Sequence, residues 1–260
     1  MEFIKQNYIV TTTSLVVGSN TSAAENLFNP IKTIQYVTDG FNNDLTTASI
    51  TYNFSETLSV SRIALLEHNL KSFTLFYNGV TANTFSLTTT SATTTSNFST
   101  NSETSMFLTT TPVNCTSVTI DMKKTITADS EKAIGLLCIS DLLLKFETNG
   151  RLPSAKNYDP TRKRREVIHN MSDGGSRLTV LEDKWQANIK YNNISLTFKN
   201  ELQTIFDLRS PIIFVAFPTT TAWDEVFFES IWPAPFDFEQ FSDDNPNAGY
   251  SGSIRLLETS

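Results

Sequence analysis

The stretch TASITYNFSETLSVSRIALLEHNL, Thr47–Leu70, decides the fold class. Ile50, Tyr52 and Phe54 alternate with Thr51, Asn53 and Ser55, and Leu58, Val60 and Arg62 alternate with Ser59, Ser61 and Ile63. A period of two puts one set of side chains on each face of a strand. The spacing predicts a strand, a turn at Ser55-Glu56-Thr57 and a second strand. The stretch ends in His68-Asn69, which could be a catalytic pair, a sugar-binding pair or a turn.

The same pattern runs outward from it. In SFTLFYNGV, Phe73, Leu75 and Tyr77 share a face, and Asn78-Gly79 reads as a hairpin turn. Residues 88–104 are low-complexity Thr/Ser and read as a mobile loop between two exposed strands. VNCTSVTIDMKK alternates again, and AIGLLCISDLLLKFE reads as a last strand buried on both faces. Residues 149–170 break the pattern with two prolines, a glycine and the basic strip Arg162-Lys163-Arg164-Arg165, so they read as a linker or an extended arm. Beyond them, Leu181, Asp183, Trp185, Ala187, Ile189 and Tyr191 alternate to a turn at Asn192-Asn193, and Ile194, Leu196 and Phe198 open the next strand. NELQTIFDLRS is the best helix candidate, with Asn200 as its cap. PIIFVAFP, EVFFESIW and GSIRLLE read as three more strands.

The expected fold is therefore all-β with two β-sandwich domains. The first spans 1–148, an arm spans 149–170, and a β-sandwich or barrel with one short helix spans 171–260. Composition agrees. Charged residues are only 18% of the 260-residue chain, Phe contributes 19 residues, and Thr, Ser and Asn fill strands and turns.

Net charge is −7 and unevenly spread. Residues 1–150 hold 8 basic and 12 acidic side chains (−4), 151–170 hold 6 and 2 (+4), and 171–260 hold 6 and 13 (−7). An acidic chain with one basic strip is a poor nucleic-acid binder and suits an acidic protein surface instead. Cys115 and Cys138 form no disulfide framework and no zinc pattern. No apolar run is long enough to span a membrane. The first residues, MEFIKQNYIVTTTS, lack the pattern of a secretion signal, so a cytoplasmic origin is expected.

Catalytic chemistry finds little material. His68 and His169 are the only histidines, and no Gly-x-Ser-x-Gly elbow or phosphate loop exists. The acids Asp224-Glu225, Asp237, Glu239 and Asp243-Asp244 lie beside aromatics, as in a sugar cleft, but equally as in strand edges and turns. Asp39, Asn42 and Asp44 offer calcium-type oxygens at close spacing, against the plainer reading of an Asn/Asp turn. No catalytic residue and no cofactor are expected.

AENLFNP, TDGFNNDLTT, SITYNFSETLSVSRIALLEHNL and AIGLLCISDLLLKFE, in that order, resemble the galactose-binding-like (discoidin-like) jelly roll of tailed-phage structural proteins, over roughly residues 20–147. Glu67 stands where that pattern has a glycine before His-Asn-Leu. ISLTFKNELQTIFDLRSPIIFVAFP, EVFFESIW and SGSIRLLETS resemble the C-terminal β-domain of phage tail-tip proteins. The resemblance implies a distal or minor tail protein in the virion, assembled in a bacterial cytoplasm. It would form a ring, most often a hexamer, joining tail tube to hub and fibres. Arg162, Lys163, Arg164 and Arg165 would then clamp a neighbouring subunit. The alternative is a carbohydrate-binding module for host glycans, although no Trp/Arg cluster on the first half's loops marks a sugar site.

Overall fold

The computed structural model describes residues 1–29, 34–78, 94–100, 102–145, 158–170, 175–216, 227–233, 235–240 and 249–259. The chain is mostly β and divides into two compact units. Asn7–Leu142 form the first; Met1–Gln6, Leu143–Pro218 and Asp224–Ser260 form the second.

The first unit carries a six-stranded antiparallel sheet. Its strands are β2 (Leu15–Val17), β4 (Ala48–Leu66), β5 (Leu70–Asn78), β6 (Thr94–Phe98), β7 (Met106–Thr125) and β9 (Leu136–Ser140), in the order β2-β4-β7-β5-β6, with β9 also on β4. A small sheet pairs β3 (Tyr36–Val37) with β8 (Ala133–Ile134). A 3₁₀ helix spans Thr21–Leu27. The alternation seen in the sequence is the burial pattern. Ile50, Phe73, Leu75, Tyr77, Val118 and Ile120 are all buried and meet in one apolar core.

The expected turn at Ser55-Glu56-Thr57 is instead a bulge within one 19-residue strand. Asn53 pairs with Ser117 and Leu58 with Cys115, so four residues of β4 oppose the single residue Thr116. Extra residues in one strand bend and twist it without ending it. A second irregularity falls between Val60↔Val113 and Arg62↔Thr109. Pro112 sits there, where the ladder does not need its missing N–H. Beyond it, Val60–Leu66 is buried throughout, because β4 is flanked by β7 and β9. AIGLLCISDLLLKFE divides at Gly135 and Asp141 into β8, β9 and β10 (Leu142–Lys145), with Leu137–Ser140 buried on both faces as expected. Residues 79–93 and 101 lie outside the described residues, and with them 88–93 and 101 of the expected Thr/Ser loop. Its part at 94–98 is strand β6, paired to β5.

Glu67 has φ +51°, in the left-handed region. Glycine enters that region at no steric cost and a Cβ-bearing residue does not. Glu67→Gly should therefore raise stability by about 0.5–1 kcal/mol, read as a higher urea midpoint at unchanged m-value. Unchanged or lower stability would mean that the Glu67 side chain compensates for its backbone.

The second unit carries an eight-stranded sheet, so the expected sandwich or barrel takes the form of a single large sheet with one helix. Its path is β10, β1 (Glu2–Ile4), β13 (Ile212–Val215), β14 (Phe227–Ile231), β16 (Tyr250–Glu258), β12 (Ser176–Ile194) and β11 (Tyr158–Asn170), with β15 (Phe238–Gln240) also on β16. β1 moves the expected boundary. Glu2, Phe3 and Ile4 are fully buried, pair with Val215, Phe214 and Ile213, and Phe3 packs on the Phe214 ring at 5.6 Å. The first unit thus starts at Asn7, not Met1, and ends at Leu142, not residue 148. Tyr158–Asn170, expected as linker or arm, is strand throughout. Residues 146–157 lie outside the described residues.

Helix α1 (Leu196–Asp207) begins earlier than expected, and Leu196 and Phe198 are helical. Its cap is Ser195, whose hydroxyl accepts the Phe198 N–H at 3.1 Å; Asn200 lies within the helix. Asn193, at φ +55°, lies in a register shift that closes β12 onto Tyr250, and the chain turns directly into α1. The helix buries Leu202 and Ile205.

Candidate interaction surface

His68 and Asn69 serve the turn between β4 and β5. Asn69 donates from Nδ2 to the Glu131 carbonyl at 2.7 Å and accepts the Ala133 N–H at Oδ1 at 2.9 Å. His68 Nδ1 accepts the Leu70 N–H at 3.0 Å, its ring packs edge-on to Phe73, and it is 1% exposed. Burial pushes its pKa down to about 4, so the imidazole is neutral near pH 7. Its Nε2 is buried with no hydrogen-bond partner among the described residues. A ring sealed in this way cannot reach a substrate. Cys115 is buried too, and desolvation raises its thiol to about 12, which holds it in the unreactive thiol form.

The three calcium candidates do not converge as ligands. Asp39 makes backbone bonds to Ser19 Oγ, Asn42 is exposed, and the Asp44 carboxylate accepts from the Thr125 N–H, the Thr125 hydroxyl and the Asp129 N–H. A cation already sits in the loop. Lys132 is 0% exposed, and its Nζ donates to the Phe41 carbonyl at 2.7 Å and to the Asn43 carbonyl at 3.3 Å. Glu131 grips the other side of the loop through Thr38 Oγ1, the Gly40 N–H and the Phe41 N–H. Burial pushes the Lys132 pKa down, while Asp44, Glu131 and Asp129 oppose that shift. Desolvation would raise Asp44, but the Thr125 and Asp129 bonds outweigh it and hold its pKa below the usual range. An ammonium thus supplies the charge for which a metal would otherwise be needed.

The basic strip lies in a two-stranded ribbon. β12 pairs with β16 only from Gln186 to Ile194, whereas its pairing with β11 runs from Ile189 out to Ser176. The outer part of the β11–β12 hairpin therefore extends past β16. Its root is fixed by Glu258 Oε2, which accepts the Trp185 N–H at 2.7 Å, and by Lys184 Nζ donating to the Thr259 carbonyl at 3.2 Å.

Cross-strand partners share a face, and the register assigns the faces. Pro160↔Ala187 and Tyr158↔Ile189 lie on the side where Ala187 and Ile189 are fully buried. Two residues further out on that side, Arg162 opposes Trp185, its guanidinium carbon 5.5 Å from the indole centroid. Further still, Ile168 opposes Leu178, and they are 65% and 52% exposed. The rungs Arg164↔Asp183 and Glu166↔Val180, with a register shift between Arg165 and Glu166, separate this exposed pair from the buried root. Arg162, Lys163 and Arg164 are exposed, and the register sets Arg164 and Arg165 opposite Asp183 and Glu182. The apolar pair escaped the sequence reading because Ile168 and Leu178 look like core residues until the pairing range of β16 is known.

No family model and no curated protein match the chain. Solved structures similar to it include chitosan-binding module 1 from a chitosanase/glucanase of Paenibacillus sp. IK-5, with 14% identity and TM-score 0.41 over 52% of this chain and 98% of that one. Another is CpGH89CBM32-6 of Clostridium perfringens, with 14% identity and TM-score 0.40 over 53% and 99%. A pectin-binding carbohydrate-binding module is similar at 16% identity and TM-score 0.36 over 51% and 91%.

Proposed function

We propose that this chain is a non-catalytic assembly protein, an adaptor of the phage tail-tip kind that docks on its partners through the β11–β12 ribbon. The observation that carries the reading is the exposed Ile168–Leu178 pair near the end of that ribbon, beyond the exposed Arg162, Lys163 and Arg164. A two-stranded ribbon is marginal in water by itself, and an exposed Ile–Leu pair near its end suits a surface that is covered on assembly. The resemblance of both halves to tail-tip proteins supplies the partners: tube, hub and fibre proteins, and further copies of the chain.

Replacing Arg162, Lys163, Arg164 and Arg165 together by Gln should slow association with the tube or hub proteins and flatten its dependence on salt, measured by surface plasmon resonance at low and physiological ionic strength. Unchanged rates at both salts would sink the role given to the strip. Glycan binding by the 7–142 unit is the competing outcome. Retention of the chain on immobilised host polysaccharide, unaffected by those substitutions, would replace the adaptor reading with that of a carbohydrate-binding module.

A further inference from the structure

The β4–β5 turn admits His68 in one protonation state only. Its Nδ1 accepts the Leu70 N–H at 3.0 Å, so the proton of the neutral ring sits on Nε2. That Nε2–H is buried with no acceptor among the described residues. A second proton would have to enter at Nδ1, where it would oppose the Leu70 N–H, donor against donor. The imidazolium would also hold its charge in a site 1% exposed, beside the Phe73 ring. The closed turn therefore refuses the cation. An opened turn, with the ring in water, accepts it.

The same turn ties down two further segments. The His68 N–H donates to the Thr104 carbonyl at 2.7 Å, and the Glu67 N–H to Ser105 Oγ at 3.2 Å. The Asn69 N–H donates to the Ala133 carbonyl at 3.2 Å, and the Asn69 carbonyl accepts the Ile126 N–H at 2.7 Å. The Asn69 side chain adds its bonds to Glu131 and Ala133. Segments 103–105 and 126–133 thus hang on residues 67–69. Apart from the two-residue β3–β8 ladder these are loop contacts, which open at lower free energy than the interior of a sheet. Charged side chains on the surrounding segments are Glu67 and Lys71 at the turn, Glu103, Lys124 at the end of β7, Glu131 and Lys132. Burial, and none of these charges, lowers the His68 pKa to about 4.

We infer that His68 is an acid-operated catch: protonation opens the β4–β5 turn and frees segments 103–105 and 126–133 together, while the long β4–β7 ladder stays paired. Acid then acts on one end of the unit before it unfolds the whole. The catch lies within the 7–142 unit and does not depend on the ribbon. In the opened turn the histidine regains its ordinary pKa of 6.5, so opening becomes about seventyfold more favourable at pH 4.5 than at pH 7.5.

Native-state hydrogen exchange of the full chain, followed by NMR at both pH values in low urea and corrected for the intrinsic effect of pH, tests the catch. Opening constants of the His68, Asn69, Leu70, Ile126 and Ala133 amides should rise about seventyfold in acid and depend little on urea. Amides of the β4–β7 ladder should open only in a global step that depends strongly on urea. His68→Gln should abolish the acid response of the turn amides. The imidazole nitrogen shifts of the wild type at pH 7.5 should show a bare Nδ1 and a protonated Nε2. The opposite tautomer, turn amides that do not open further in acid, turn opening as dependent on urea as that of the ladder, or a folded His68→Gln variant with the wild-type response would each overturn the inference. The tautomer and the wild-type exchange decide the matter even where the variant does not fold.

Discussion

Lys132→Met should destabilise the first unit by about 3 kcal/mol, lowering its melting temperature by roughly 6–12 °C. The lysine is fully buried and its ammonium holds two loop carbonyls, at Phe41 and Asn43. Methionine matches its length and apolar stem but donates nothing. The carbonyls lose their donor, and the carboxylates of Asp44, Glu131 and Asp129 lose the cation that attracts them. A desolvated acceptor left without its donor costs more than the bond contributes when complete, whereas Asp129 is exposed and Asp44 and Glu131 are half-buried and keep contact with water. The calcium reading of the same loop makes a different prediction. If Asp39, Asn42 and Asp44 were ligands, calcium would raise the melting temperature of the wild type and a chelator would lower it. With Lys132 in place, neither should change it. A calcium-dependent wild type, or a Lys132→Met variant as stable as the wild type, would contradict the assignment.

Acid should destabilise the first unit through His68. Its folded pKa is lowered to about 4, below the ordinary 6.5. Between those values the unfolded chain binds a proton that the native chain does not, so stability falls as pH falls. The contribution is fully present above about pH 6.5, and by pH 4.5 about 2.5 kcal/mol of it is gone. Carboxylates also begin to titrate there, so the difference from a His68→Gln variant isolates the histidine. Glutamine keeps an acceptor near the Leu70 N–H but does not titrate in this range. Urea unfolding at pH 7.5 and pH 4.5 should show the wild type losing about 2–3 kcal/mol more than the variant. Equal losses would mean that His68 is solvated enough to protonate in place.

Strand content was legible because faces alternate, and alternation needs only local sequence. Ile50, Phe73, Leu75 and Tyr77 lie where that pattern puts them. Ser55-Glu56-Thr57 misled because a bulge uses the same small polar residues as a turn, and only the partner strand distinguishes them. ISLTF misled because β-branched and aromatic residues at its start resemble strand, while Ser195 as cap and the packing of Leu202 and Ile205 select helix. Glu2–Ile4 joined the second unit through Ile213–Val215, more than 200 residues away, and no local pattern reports such a partner.

The candidate sites divide the same way. The strip Arg162–Arg165 was visible as charge, but its place in a ribbon depends on where β16 stops pairing. Lys132 was invisible as a counterion because its acceptors, Phe41 and Asn43, lie about 90 residues before it and act through backbone carbonyls.

The central claim is that the β11–β12 ribbon is the docking surface. Hydrogen–deuterium exchange, compared between the dilute chain and the chain assembled with its partners, tests it most directly. The account predicts that amides of 166–170 and 176–181 exchange quickly in the dilute chain and become protected on assembly. Assembly that leaves their exchange unchanged while protecting another surface would contradict it.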